Sequence, residues 1–152
     1  MHIDAVDQRI IASLVADARA SYAEVGARVS LSAPAVKRRV DRLRSAGVIR
    51  GFTAVVDPRG IGWNTEAFVE LYCTGRTTPA QLAVATRRHP EVVGAYTVSG
   101  EADALVHLRA ADIAHLEQAL ERLRAEPFVT STRSMIVLSR LVESPTAVAA
   151  PE

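Results

Sequence analysis

The chain has 152 residues, 49% of them apolar and 23% charged, with a formal net charge of +1. That profile excludes a disordered polypeptide, and no apolar run approaches the roughly 20 residues that a membrane-spanning helix requires. A single cysteine, Cys73, excludes an internal disulfide and a cysteine-based zinc site, and the acidic start with Asp4 and Asp7 is unlike a secretory leader, so a cytoplasmic protein is expected.

The first helix is capped by Asp4 and carries Ile10, Ile11, Leu14 and Ala18 at helical intervals. A second opens at Ser21 with Glu24 three residues on, the capping-box spacing, and buries Val25 and Val29. Gly26 interrupts it, and Ser30 stands in the turn that follows; each is expected to cost about 1 kcal/mol of local stability. The third helix starts at Ser32, accepts Pro34 in its first turn, and ends where Gly47 can turn left-handed. The turn between the second and third helices spans only Val29 to Leu31, as a helix-turn-helix requires.

At 100° per residue, Val36, Val40 and Leu43 of that third helix fall within about 60° of one another and face the core. Arg38, Arg42 and Ser45 lie opposite, Ala35 beside Arg42, and Lys37 and Arg39 flank the apolar stripe. Residues 1–60 are net +4 and residues 61–152 net −3; Lys37 to Arg50 alone is net +5. A basic helix face is either solvated or set against nucleic acid. Small residues near the helix start and arginines beyond them are what entry into a major groove needs.

Leu31-Ser32-Ala33-Pro34-Ala35-Val36-Lys37-Arg38-Arg39-Val40, then Arg42-Leu43 and Gly47-Val48-Ile49-Arg50-Gly51-Phe52, resembles the winged helix-turn-helix of the leucine-responsive regulator/AsnC (feast/famine) family. Asp57-Pro58 and Gly62 resemble that family's linker. The expected DNA contacts are Arg38 and Arg42 to bases or phosphates, Lys37 and Arg39 to phosphates, and Ser32 and Ala35 close to bases.

Beyond Pro58 a strand is expected over Ala67–Cys73, a helix from Pro79 to about Arg88, strands at Val92–Ser99 and Ala104–Arg109, a helix capped by Asp112, and a long last strand over Phe128–Val142. The order β-α-β-β-α-β is ferredoxin-like, making the fold class α+β: a winged helix-turn-helix followed by a ferredoxin-like sensing and dimerisation domain. The expected divisions are 1–50 for DNA binding, 51–63 for a linker strand, 64–143 for the sensing and dimerisation domain, and 144–152 for a flexible tail. In the last strand Ile136 and Leu138 point one way and Met135 and Val137 the other, and Leu105 and Val106 also diverge. A sheet apolar on both faces needs a second cover, so a dimer formed sheet to sheet is expected, the alternative being a covering segment of the same chain.

The resemblance spans roughly residues 3–143. Val98-Ser99-Gly100-Glu101-Ala102-Asp103 is similar to the family's ligand-binding loop, and Thr132-Arg133-Ser134-Met135-Ile136-Val137-Leu138 to its last strand. The resemblance implies an effector, commonly an amino acid, held by Ser99, Gly100, Glu101, Asp103, Thr132 and Ser134. It also implies a homodimer that can assemble to an octamer. A carboxylate such as Asp103 suits an α-ammonium, and N–H groups near Gly100 suit an α-carboxylate; the same residues also make an ordinary hairpin turn.

The sequence carries no constellation of residues that nominates a reaction. His2, His89, His107 and His115 lack metal-ligand spacing, and Asp103 with His107 reads as a structural pair along a strand. No phosphate loop, nucleophile elbow or paired catalytic carboxylates occur, so neither an enzyme nor a metal or other cofactor is expected. Two rivals remain: an architectural, nucleoid-type DNA-binding protein without effector, and a ferredoxin-like enzyme with an accessory helical domain.

Overall fold

The structure, a computed structural model, describes residues 2–142. The chain divides into two compact units, the first running to Val55 and the second covering Val56–Leu141. The expected flexible tail, residues 144–152, lies outside the described residues.

The first unit holds α1 (Ala5–Ala16), α2 (Tyr22–Val29) and α3 (Ala33–Ser45). Both α1 and α2 begin with complete capping boxes, Asp4 with Asp7 and Ser21 with Glu24, so their first orphan N–H groups are satisfied reciprocally. Ile10, Leu14, Val25, Val29, Val36 and Val40 interlock as one core, with Tyr22, Leu31 and Ile49 packed around it. Full burial of each such aliphatic side chain stabilises by about 1.5–3 kcal/mol. The helical spacing read in the sequence therefore corresponds to one shared core, except that α1 ends at Ala16 and leaves Ala18 exposed in the turn beyond it.

Gly26 behaves differently from the expected helix interruption. A Cβ there would lie 2.3 Å from the Leu31 carbonyl oxygen, while the Leu31 N–H donates to the Gly26 carbonyl at 3.0 Å. The missing side chain is what lets the chain fold back tightly between α2 and α3. Ser30 does carry the expected strain, with φ 60° and ψ 44° in the left-handed region.

Residues 51–57 form no strand within the chain, contrary to the expected linker strand. An extended segment becomes a strand only against a neighbour, and the single chain supplies none there. Pro58–Ile61 is instead a short 3-10 turn capped by the Asp57 carboxylate.

The second unit contains β1 (Thr65–Cys73), α4 (Pro79–Thr86), β2 (Val92–Thr97), β3 (Ala104–Ala110), α5 (Ile113–Arg124) and β4 (Val129–Ile136). The antiparallel sheet has the order β2-β3-β1-β4, as the ferredoxin-like reading requires. Ala67, Val69, Leu71, Ala104, Val106, Leu108 and Ala110 form one sheet face, buried with Leu82 of α4 and Leu116 and Leu123 of α5.

The last strand is shorter than expected. Its ladder continues only to the Val137 N–H, which donates to Glu66 at 2.9 Å, and Leu138 is 89% exposed beyond it. The open sheet face is mixed rather than uniformly apolar. Register places Phe68, Tyr96, Leu105 and Met135 there together with Glu66, Glu70, His107 and Arg133. Phe68 stacks on His107 with centroids 4.5 Å apart, and His107, Arg109 and Arg140 converge on Glu66. Alternation identified the side on which each residue lies, but not that a carboxylate would gather three basic groups among the apolar ones.

Candidate nucleic-acid interface and effector loop

α3 buries Val36, Val40 and Leu43 completely and turns the opposite side outward. Ser32 is its N-cap by backbone conformation, but the hydroxyl makes no capping hydrogen bond, and the residue is exposed. A free hydroxyl at a helix N-terminus is available to a phosphate oxygen, aided by the unpaired N–H groups of the first turn. Ala35 is half-buried, small and near this end.

The six basic residues from Lys37 to Arg50 separate into two groups. Arg38, Arg44 and Arg50 are exposed and make no ion pair among the described residues. Lys37 donates to Asp41 at 2.6 Å, one turn along the same helix, and this bond and charge raise its pKa. Arg39 donates from Nη1 to Asp4 at 2.7 Å and to Asp7 at 2.8 Å, and Arg42 donates from Nη2 to Asp7 at 2.6 Å. Asp7 is fully buried. The Arg39 bond, followed by the Asp7 N–H, holds the Asp4 carboxyl below its ordinary range. Of the expected DNA contacts, Ser32, Ala35 and Arg38 have no competing partners among the described residues, Lys37 is paired on the surface, and Arg39 and Arg42 are tied to the start of α1. Residue spacing within α3 could not reveal this, because the acceptors lie 32 and 35 residues away.

The candidate effector residues lie at one end of the sheet. Ser99, Gly100 and Glu101 are exposed in the loop between β2 and β3, where Gly100 has φ +133°. Leu71 pairs with Ala104 on one side and Thr132 on the other, so Thr132 is two strand spacings from the loop's end, roughly 10 Å. Ser134 lies one pleat further along β4. The Asp103 carboxylate accepts from the Cys73 N–H at 2.7 Å, and the Asp103 N–H donates to the Leu71 carbonyl at 2.9 Å. Asp103 therefore fastens the loop to β1, and its expected partner along the strand, His107, bonds Glu66 instead. Burial and then the Asp103 charge push the Cys73 thiol up. Glu101 makes no ion pair among the described residues and is the loop's available carboxylate. The Thr132 hydroxyl accepts from Arg124 at 3.0 Å. An open groove of about 450 Å³ between α4 and β2, lined by Arg87, His89, Val93 and Ala95, includes none of these effector residues.

A buried cluster escaped the sequence reading. Glu91, 3% exposed, accepts from His115 at 2.8 Å and from Arg122, joining the start of β2 to α5. Burial raises its pKa, but hydrogen bonds from His115, the backbone and Arg122 outweigh burial and leave it lowered. No sequence signal links these residues, which are 24 and 31 positions apart.

A three-helix unit with a basic face on its third helix, followed by a four-stranded antiparallel α+β unit, is the architecture of a helix-turn-helix DNA-binding protein with a second, α+β domain. A model described as the AsnC-type helix-turn-helix domain matches residues 3–44, and one described as the Lrp/AsnC ligand binding domain matches residues 66–147. The chain belongs to the Lrp/AsnC family of transcriptional regulators. It is 54% identical over 141 residues to the HTH-type transcriptional regulator Rv2324 of Mycobacterium tuberculosis, covering 93% of this chain and 95% of that one. It is 34% identical to the regulator LrpA of the same organism, covering 90% and 91%. The feast or famine regulatory protein of M. tuberculosis complexed with L-methionine has a TM-score of 0.90 at 32% identity, covering 97% and 100%. A transcriptional regulator of Neisseria meningitidis in complex with L-methionine has a TM-score of 0.88 at 25% identity, covering 96% of each. These relatives are named as transcriptional regulators, not enzymes.

Proposed function

We propose that the chain acts as a homodimeric, sequence-specific DNA-binding regulator whose DNA affinity or assembly, up to an octamer, responds to an amino acid. The observation that carries the reading is the outer face of α3, where Ser32 and Arg38 have no side-chain hydrogen bond or ion pair among the described residues and Ala35 is small and near the helix start. Two such helices on a dimer address half-sites about one helical turn apart, roughly 34–36 Å, or a multiple of it. Lys37, exposed beside Asp41, can exchange that weak surface pair for a phosphate. The open sheet face with Phe68, Tyr96 and Met135 supports pairing with a second copy.

The amino-acid effector is supported by the matched ligand-binding domain and by the two similar structures solved with L-methionine. In this chain Glu101 is the carboxylate proposed to meet the ammonium, and N–H groups around Gly100 the carboxylate. Thr132 and Ser134 complete the site, with Ser99 beside the loop, and Asp103 holds its shape. Binding must discriminate between two assembly states to have a regulatory effect.

The test is selection of bound duplexes from a random-sequence pool, with and without a mixture of amino acids. Enriched inverted repeats whose recovery changes with one amino acid are expected. Uniform recovery of all sequences, indifferent to every amino acid, would refute the reading and leave an architectural protein.

A further inference from the structure

Arg39 and Arg42 belong to the most basic stretch of the chain, yet both point into carboxylates of α1. Asp7 is completely buried, and its two oxygens are fully engaged. Oδ1 accepts from Arg39 at 2.8 Å; Oδ2 accepts from Arg42 at 2.6 Å and from the Asp4 N–H at 3.3 Å. Asp4 adds its own bond to Arg39 at 2.7 Å, and its other oxygen accepts from the Asp7 N–H at 2.7 Å. The guanidinium side chains are 28% and 48% exposed, so they lie at the edge of the domain rather than inside it.

We infer that Asp7 is a positioning and specificity-determining residue, which fixes α3 against α1 and withholds Arg39 and Arg42 from the DNA backbone. The inference rests on the DNA-binding reading above. Removing a partner from a fully buried carboxylate costs more than an exposed phosphate contact returns, so DNA does not draw the two arginines away. Phosphate contacts strengthen binding to every sequence alike, whereas base contacts discriminate. Neutralising two of the cations on α3 internally lowers affinity for arbitrary duplex and leaves Arg38 and Ser32 as the groups that read or register the site. Asp7 thereby increases discrimination by suppressing nonspecific attraction.

The consequence has an unusual sign. Asp7→Asn removes a negative charge, releases Arg42 and leaves Arg39 held by Asp4 alone, so binding to a scrambled duplex should tighten. Its dependence of log affinity on log salt should steepen by about 1 per protomer, at about 0.9 per phosphate neutralised. The ratio of affinities for a duplex selected by the wild-type chain and its scrambled counterpart should fall about tenfold or more. A merely structural role would weaken both duplexes and steepen neither. The measurement is fluorescence anisotropy across a salt series, at a temperature where circular dichroism shows the variant folded. A scrambled-duplex slope equal to or shallower than wild type would overturn the inference.

Arg42→Gln gives an independent decision should Asp7→Asn not fold. Its scrambled-duplex slope should match wild type, while Arg38→Ala should lose about 1 per protomer. A loss of about 1 for Arg42→Gln would place Arg42 on phosphate and overturn the clamp. If the wild-type chain selects no sequence at all, the sequence-specific reading fails, while the scrambled-duplex slopes still decide the role of Asp7.

Discussion

Gly26→Ala provides a stringent test of the helix-turn-helix geometry, because propensity and packing predict opposite signs. On propensity alone, alanine inside α2 should stabilise by about 1 kcal/mol. In the structure the new Cβ would meet the Leu31 carbonyl oxygen at 2.3 Å, about 1 Å inside ordinary contact distance. That oxygen belongs to the backbone and cannot rotate away, so the turn before α3 must open. Opening it loosens the Leu31 N–H bond to Gly26 and moves Leu31 against the core. Overpacking of this kind typically costs up to about 3 kcal/mol, leaving a net loss of about 2 kcal/mol after the propensity gain. With a urea slope near 1 kcal/mol/M for so small a unit, the midpoint of its transition should fall by about 2 M. Hydrogen exchange of the α2 and α3 amides, followed through the urea series, isolates this unit from the sheet domain. An unchanged or higher midpoint would refute the close-approach reasoning. The companion substitution Ser30→Gly should raise the midpoint, because glycine removes the left-handed strain worth about 0.5–1 kcal/mol.

Glu91→Gln should destabilise the sheet unit by about 3 kcal/mol at neutral pH, since it breaks a buried ionic cluster from one side. Because the folded-state pKa of Glu91 is lowered, its contribution is complete above the ordinary value of 4.5 and disappears as pH falls through the folded value. The wild-type acid limb of stability against pH should therefore be steeper than that of Glu91→Gln, and identical limbs in calorimetric titration would contradict the assignment. Met135→Asp, on the open sheet face, should convert the proposed dimer to a monomer in sedimentation equilibrium; an unaltered mass would move the interface elsewhere. Glu101→Gln should abolish the calorimetric signal of the effector amino acid while leaving the thermal midpoint in place, whereas Asp103→Asn should lower that midpoint by loosening the bond to Cys73. Loss of binding in Asp103→Asn at an unchanged midpoint, with binding retained in Glu101→Gln, would reverse their proposed roles.

Local and periodic features were read well from the sequence because their causes are local. A capping box needs only Ser21 and Glu24 at the right spacing, and a buried helix face needs only Val36, Val40 and Leu43 within one arc. Strand ends were less legible. β4 ends at Ile136, with a last ladder bond from the Val137 N–H to Glu66, while Leu138 continues the apolar alternation into solvent. The alternation of side chains describes which face a residue would take, but a strand exists only where a neighbour supplies hydrogen bonds. Residues 51–57 likewise have no strand neighbour within the single chain.

Charge was the least legible feature, since the sequence reveals the sign of a side chain but not whether it is already neutralised in the fold. Lys37 and Asp41 could be matched from their spacing of four on one helix, whereas Arg39 and Arg42 meet acceptors on α1 that become neighbours only after the core closes. The net +5 of Lys37 to Arg50 therefore overstates what α3 presents to DNA: three of its six cations are already paired. In the second unit, Asp103 reads as a ligand group and is held by the Cys73 N–H, whereas Glu101, two residues earlier, makes no ion pair among the described residues. In both units, a polar residue is available to a ligand only after the demands of buried N–H groups and carboxylates have been met. Those demands are long-range, so they limit how far binding residues can be assigned from sequence even where the fold is plain.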